Sequence, residues 1–391
     1  MKRMLSILTI LAILPMMACS KNEPSTQEED FSKDSPCDEE FISMAYLSMY
    51  MGYMQNMTKD DVVPYLDNYR WEGISDIAFI DGNFFPGKDG TLLTGWNKDE
   101  WPPVCETYMG EKIDEQYCRS LLVSKEVMTE AINFFRNKGI RIWMSVTSSG
   151  WDQGGSISII CENPKLIEKF ADEICAFCRE FGVYGVDFDW EFPRTKAESD
   201  GYRNLIKRIH DSGYKTSVCA TVPTNHGYPV YFGQYMDFDE MIDNDVVDQI
   251  HHMQYVGFDE SKQCIDLNVK KKNMEAWEKS FPMQFTDKRK VRLMTGIGFY
   301  SYYGISLGQL FDKYGLDFYY MNGVLPNDGY YTPDNVRELV RYAHKMGWGG
   351  VFTWLVTHDL SKEHPDCVSL QYALGDEVRH IWGKKMIDTN K

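Results

Sequence analysis

Along residues 185–193 polar and apolar side chains alternate without a break. Gly185, Asp187, Asp189 and Glu191 fall on one parity, Val186, Phe188, Trp190 and Phe192 on the other. This is the two-residue period of a β-strand. At a rise of about 3.3 Å per residue the carboxylates stand about 6.6 Å apart along one face, near enough to perturb one another's protonation. An antiparallel strand with one solvated face would alternate in the same way. The flanking pattern decides between the two readings.

Strand-like runs at 41–53 (with an exit loop), 74–80, 140–146, 216–222, 247–255, 291–297 and 350–356 alternate with helical periodicity. After the capping residue Ser124, Val127, Ala131, Phe134 and Phe135 share a helical face that Gly139 stops. Asn163 and Pro164 start a second helix, with Ile167, Phe170, Ile174, Phe177 and Cys178 on its buried side and Gly182 at its end. Further helices are predicted near 197–211, 267–281, 334–345 and 369–382. Residues 84–123 have no clear period and read as loop with short pieces of structure. Eight strands, most followed by a helix, predict an α/β fold, a (β/α)8 TIM barrel of ~250 residues with loop insertions. An open doubly wound sheet fits less well, because no Gly-rich phosphate turn opens a helix after the first strand. In a barrel, Asp189 and Glu191 fall at the C-terminal end of a strand, where functional groups collect.

The ends of the chain add an address. Lys2 and Arg3, an apolar run over 4–14 and small or apolar residues before Cys19 form a secretory signal peptide over 1–18, too short to span a bilayer. Met16-Met17-Ala18-Cys19 resembles a bacterial lipoprotein box, which implies lipidation of Cys19 and a place in the cell envelope, lipid-anchored at the outer membrane. Residues 19–40 are polar and acidic and read as a flexible tether; 41–385 form the domain.

Removal of residues 1–18 takes away two cations and no acid, so the formal charge of −17 becomes −19. Nucleic acid and anionic membrane surfaces are poor partners for such a chain, and contact with a membrane is expected through the lipid anchor alone. Among the ten cysteines, Cys105 and Cys118 bracket a loop-like insertion and are a candidate disulfide, whereas Cys175 and Cys178 read as buried in a helical face. No spacing suggests zinc, and His251-His252 beside a strand reads as structural.

The stretch 185–193 resembles the signature of glycoside hydrolase family 18, the chitinase and endo-β-N-acetylglucosaminidase family, in which Asp-x-x-Asp-x-Asp-x-Glu ends the fourth barrel strand. Ala45-Tyr46, Ile77-Ala78-Phe79, Met253-Gln254-Tyr255 and the run 349–354 ending in Trp354 are similar to the family's motifs on strands one, two, six and eight. Three positions depart from it. Tyr184 stands in the place of the motif's first aspartate, Ser145-Val146-Thr147-Ser148 in the place of Ser-x-Gly-Gly, and Val256 in the place of the aspartate after Met-x-Tyr. Only 299–331 separates the seventh strand from the next helix, about half of what a deep-cleft insertion needs, which implies a shallow, open cleft.

The resemblance implies a retaining, substrate-assisted hydrolysis of β-1,4 bonds after N-acetylglucosamine, with no metal or organic cofactor. Glu191 would be the acid, Asp189 the acceptor of the acetamido N–H, Asp187 its proton-sharing partner and Tyr255 a donor to the acetamido carbonyl. Trp354 would floor the sugar site, with Tyr46, Phe79, Met253 and Gln254 also binding substrate. Trp96, Trp101, Trp151, Tyr302 and Tyr303 are candidate stacking platforms or ordinary packing. Chitin oligosaccharides, the chitobiose core of N-glycans, and sugar binding without turnover on a retired barrel remain as alternatives.

Overall fold

The computed structural model describes residues 41–49, 54–80, 83–96, 122–147, 156–190, 193–220, 241, 246–255, 257–259, 264–280, 292–299, 331–359 and 369–388. Eight parallel strands close into a barrel: β1 (Ile42–Ser48), β2 (Asp76–Ile80), β3 (Arg141–Thr147), β4 (Gly185–Asp189), β5 (Lys215–Ala220), β6 (Gln249–His252), β7 (Arg292–Gly298) and β8 (Gly350–Trp354). β1 pairs with both β2 and β8, so the sheet has no free edge. Every strand lies within the runs read from the sequence or one residue beyond them.

Helices cover the outside: α1 (Lys59–Leu66), α2 (Lys125–Asn137), α3 (Ser156–Cys161), α4 (Pro164–Phe181), α5 (Lys196–Asp211), α6 (Leu267–Ser280), α7 (Pro333–Lys345) and α8 (Leu370–Asp388). Local chemistry sets their ends. The Ser124 hydroxyl accepts the Val127 N–H at the start of α2, and the Asn163 side chain accepts the Lys165 N–H at the start of α4. Gly182, at φ 59°, ends α4 in the left-handed conformation that only glycine adopts without cost. Two short helices, α1 and α3, escape the periodicity reading, α1 because Pro64 interrupts its eight residues. Two hairpins lie outside the barrel, Phe85–Pro86 with Leu92–Leu93 and Phe258–Asp259 with Cys264–Ile265. Among the described residues no helix is long and apolar enough to cross a membrane. Cys175 and Cys178 are buried free thiols, as their helical face predicts. Cys105 and Cys118 lie outside the described residues.

The strand pleat divides the core in two. Outward residues such as Leu47, Phe79, Val186, Phe188, Val218 and Val351 join the helices in the larger cluster. Inward residues, among them Met44, Tyr46, Trp143, Cys219, Met294 and Phe352, fill the barrel. The lower barrel is organised around Asp76, which accepts from Arg141 (2.9 and 2.7 Å) and from the Trp143 indole N–H (2.8 Å). Trp143 leaves room for nothing else: a Cβ on Gly185 would meet its ring at 2.5 Å. Gly185 therefore opens the acidic strand because its neighbour's indole occupies the axis.

Outside β6 the pleat brings Lys270 of α6 into the protein, fully buried, with its ammonium on the Gln254 carbonyl oxygen. Burial pushes that ammonium down from 10.5 to about 7. The unfolded chain keeps this proton up to its ordinary value and the folded chain gives it up near neutrality, so the group favours folding more as pH rises. Below neutrality the folded protein carries a buried charge at a cost of about 5 kcal/mol. Lys270→Met is expected to raise the melting temperature strongly at pH 6 and less as pH approaches 10. A gain independent of pH in thermal denaturation would contradict it.

Candidate active site

β4 carries the acids into the barrel in the order its parity dictates. Gly185 lies beside Trp143, Asp187 pairs in register with Ser145, and Asp189 with Thr147. The opposite parity packs outward: Phe188 meets the Tyr202 ring edge-on at 5.8 Å, and Trp190 meets it at 5.1 Å. Tyr184, the first departure from the acidic motif, belongs to the lower layer. Its ring lies under the Arg141 guanidinium at 4.9 Å and edge-on to Trp143 at 5.8 Å. The acid that layer needs is Asp76, supplied by β2.

Asp187 is fully buried and is the hub of the middle layer. Ser145 Oγ donates to Oδ2 at 2.7 Å and Ser217 Oγ to Oδ1 at 2.5 Å, and Tyr46 Oη lies 2.9 Å from Oδ2. The Cys219 thiol lies 3.9 Å from both oxygens and His251 Nδ1 3.5 Å from Oδ1. Four other strands thus supply partners for one carboxylate, which a dry interior requires. Asp187, Cys219 and His251 also place their donor atoms within 4.8 Å of one another, a spacing that could hold a metal ion. Tyr46 Oη already occupies the middle of that group, 2.9 Å from Asp187 Oδ2, 2.7 Å from His251 Nδ1 and 3.5 Å from Cys219 Sγ. The cluster is therefore joined through protons. Burial first, and the Asp187 charge second, push the Tyr46 phenol well above its ordinary value, so it stays a donor.

Above Asp187 the described side chains are less buried. Asp189 is half-buried at the end of β4, close enough to Tyr46 to act on its phenol. Thr147 is half-buried across the ladder, and its Oγ1 has no hydrogen-bond partner among the described residues. Tyr255 and Trp354 stack at 6.1 Å and 27°, and Trp354 meets Tyr46 edge-on at 5.8 Å. Gly296 makes this possible, since a Cβ there would meet the Tyr255 ring at 2.8 Å. Met253 joins the same apolar cluster. The peptide between Trp354 and Leu355 is cis.

Three expected substrate contacts are corrected by parity and burial. Phe79 faces outward and packs edge-on to Phe135 of α2 at 5.8 Å, one residue out of phase with the inward Ala78 and Ile80. Tyr46 points inward but is only 1 % exposed, so it holds Asp187 and not sugar. Gln254 shares the parity of His252 and is one residue out of phase with the inward Met253 and Tyr255. Trp96 stacks on Phe177 at 5.9 Å and donates to the Val123 carbonyl, an ordinary packing role. Glu191, Val256, Cys19, Trp101, Trp151, Tyr302 and Tyr303 lie outside the described residues.

The sequence reading missed Ser217, Cys219, Thr147 and above all His251. The pleat splits the histidine pair: His251 enters the barrel and stacks on Phe352 at 4.9 Å, while His252 packs between Trp277 and Trp348. The available signal was a polar residue on the inward parity of an apolar strand.

The chain matches the family described as "Glycosyl hydrolases family 18" over residues 84–359. Sporulation-specific chitinase 2 of Saccharomyces cerevisiae is 31% identical over 78 residues, which are 20% of this chain and 15% of that one. The fold is similar to the GH18 chitinase ChiB from the chitin utilization locus of Flavobacterium johnsoniae, with a TM-score of 0.57 and 17% identity over 88% of this chain and 96% of that one. It is also similar to a chitinase from Bacteroides thetaiotaomicron, with a TM-score of 0.59 and 13% identity over 86% of this chain and 96% of that one.

The two layers predict opposite phenotypes. Phe79→Ala is expected to cost about 3–5 kcal/mol of stability and leave the glycoside hydrolase activity of the folded fraction unchanged. Tyr46→Phe, which removes a buried donor, is expected to cost about 1–3 kcal/mol and to lower kcat without raising KM. Urea denaturation and steady-state kinetics on both variants check this; a Phe79 variant with selectively raised KM would contradict the outward assignment.

Proposed function

This chain belongs to glycosyl hydrolases family 18, and from that premise we propose that it hydrolyses β-1,4 bonds following N-acetylglucosamine, with retention and with the substrate's own acetamido group as nucleophile. The observation that carries this reading is the one-sided placement of the acids. A retaining enzyme that supplies its own nucleophile sets two carboxyl groups about 5–5.5 Å apart across the sugar. Here Asp187 and Asp189 rise from a single strand, and Glu191 continues the same parity in the sequence. The nucleophile on the far side is then the substrate's.

In the proposed reaction the acetamido carbonyl oxygen attacks the anomeric carbon as the glycosidic bond breaks. Glu191 gives its proton to the leaving oxygen. Asp189 accepts the acetamido N–H and faces the positive charge of the oxazolinium ring. Asp187 lies beneath Asp189 on the same face of β4. Glu191 then takes a proton from water, which opens the ring and restores the original configuration. The stacked pair Tyr255 and Trp354 supports this geometry: the indole offers an apolar face to the sugar and the phenol a donor to the acetamido carbonyl. The Ser145 bond to Asp187 speaks for turnover over mere sugar binding, since the altered Ser-x-Gly-Gly keeps its serine on the acid. We also propose that residues 41–385 are the hydrolase domain, carried on the acidic tether 19–40 and anchored to the cell envelope through lipid on Cys19.

Product release from chitotetraose and from a high-mannose glycopeptide tests both chemistry and substrate class. Cleavage of either is expected to fall by about 10²–10⁴ in Glu191→Gln and Asp189→Asn. Binding without turnover in wild type and variants alike would contradict the hydrolase reading.

A further inference from the structure

A proton count in the buried cluster goes beyond this scheme. Gln249 Oε1 lies 2.9 Å from His251 Nε2, and with the amide in this orientation Nε2 carries a hydrogen. His251 Nδ1 lies 2.7 Å from Tyr46 Oη, which in turn lies 2.9 Å from Asp187 Oδ2. Two contacts of hydrogen-bond length among three heavy atoms need two protons, and Tyr46 brings one. The second resides on Asp187 or on His251.

Both placements keep every bond. With the proton on Asp187, the carboxyl donates to Tyr46 Oη and the phenol donates to a neutral His251. With the proton on His251, Nδ1 donates to Tyr46 Oη and the phenol donates to an Asp187 carboxylate. Passing between them, the Asp187 O–H bond breaks as a phenol O–H bond forms, and the old phenol O–H breaks as the Nδ1–H forms. No heavy atom needs to move, and one proton is transferred in net.

We propose that His251 is a positioning residue that stores, through Tyr46, the proton Asp187 gives up during catalysis. The proposal rests on the substrate-assisted reading, in which positive charge develops on the sugar above Asp189. An Asp187 anion is favoured at that moment and costly in the resting barrel, where its side chain is fully buried. The store supplies the anion on demand and pairs it with an imidazolium. The titratable groups facing His251 are Tyr46 on β1, Asp187 on β4 and Cys219 on β5, with Asp76 farther below. Burial lowers the imidazole's affinity for a proton and Asp187 raises it, opposing effects that suit a transient acceptor.

Nitrogen NMR of histidine-labelled protein tests this, with the His251 signals assigned by their loss in His251→Gln. The free protein is expected to show a neutral imidazole protonated at Nε2. A thiazoline analogue of the oxazoline form of N-acetylglucosamine is expected to shift it toward the doubly protonated form. Asp187→Asn, which donates permanently to Tyr46, should hold His251 neutral with the analogue bound. In kinetics His251→Gln should lower kcat about 10- to 100-fold with KM unchanged, the range of a buried hydrogen bond to a charged group. A free protein protonated at Nδ1 alone would overturn the proposal, because Gln249 would then present its amide N–H and no second proton would be needed. So would an unchanged His251 signal with the analogue bound. Failure to cleave any N-acetylglucosamine substrate would instead remove the hydrolase reading itself, and with it the catalytic role of the store.

Discussion

Burial of one carboxylate on the barrel axis is the constraint from which the rest of the site follows. Asp187 is fully buried, so the structure must bring polar partners to it, and it does so from four other strands. Closure of the barrel makes this possible, because only a closed sheet aims side chains from β1, β3, β5 and β6 at one point on β4. The lower layer serves the same end. Asp76, Arg141 and Trp143 plug the axis, and Gly185 yields its volume so that the plug fits directly under the acid.

Above that hub the site changes character. Asp189 is half-buried at the end of β4, Tyr255 and Trp354 stack on each other, and Thr147 Oγ1 has no partner among the described residues. A buried, fully bonded acid beneath a partly exposed one places two carboxyl groups of one strand in different surroundings. General acid–base chemistry requires such a difference.

Strand parity made most of this legible before any coordinates. The alternation over 185–193 fixed which acids share a face, and the seven flanking runs fixed the barrel. Parity also explains the errors. Phe79 and Gln254 sit within recognisable motifs, yet each is one residue out of phase with the barrel interior. Tyr46 is in phase but too deep. His251 was passed over because a histidine doublet looks the same whichever member points inward, and only the register of β6 separates them. The convergence of Ser217, Cys219 and His251 on Asp187 joins residues 30, 32 and 64 positions apart, which no local pattern encodes.

The central claim is that the substrate supplies the nucleophile the one-sided acids cannot. Turnover of chitotetraose compared with an analogue whose cleavage-site sugar carries a free amine in place of the 2-acetamido group tests this most directly. The account predicts hydrolysis of chitotetraose with the β-anomer released first, and binding without hydrolysis of the analogue. Comparable hydrolysis of both would place the nucleophile on the protein and contradict it.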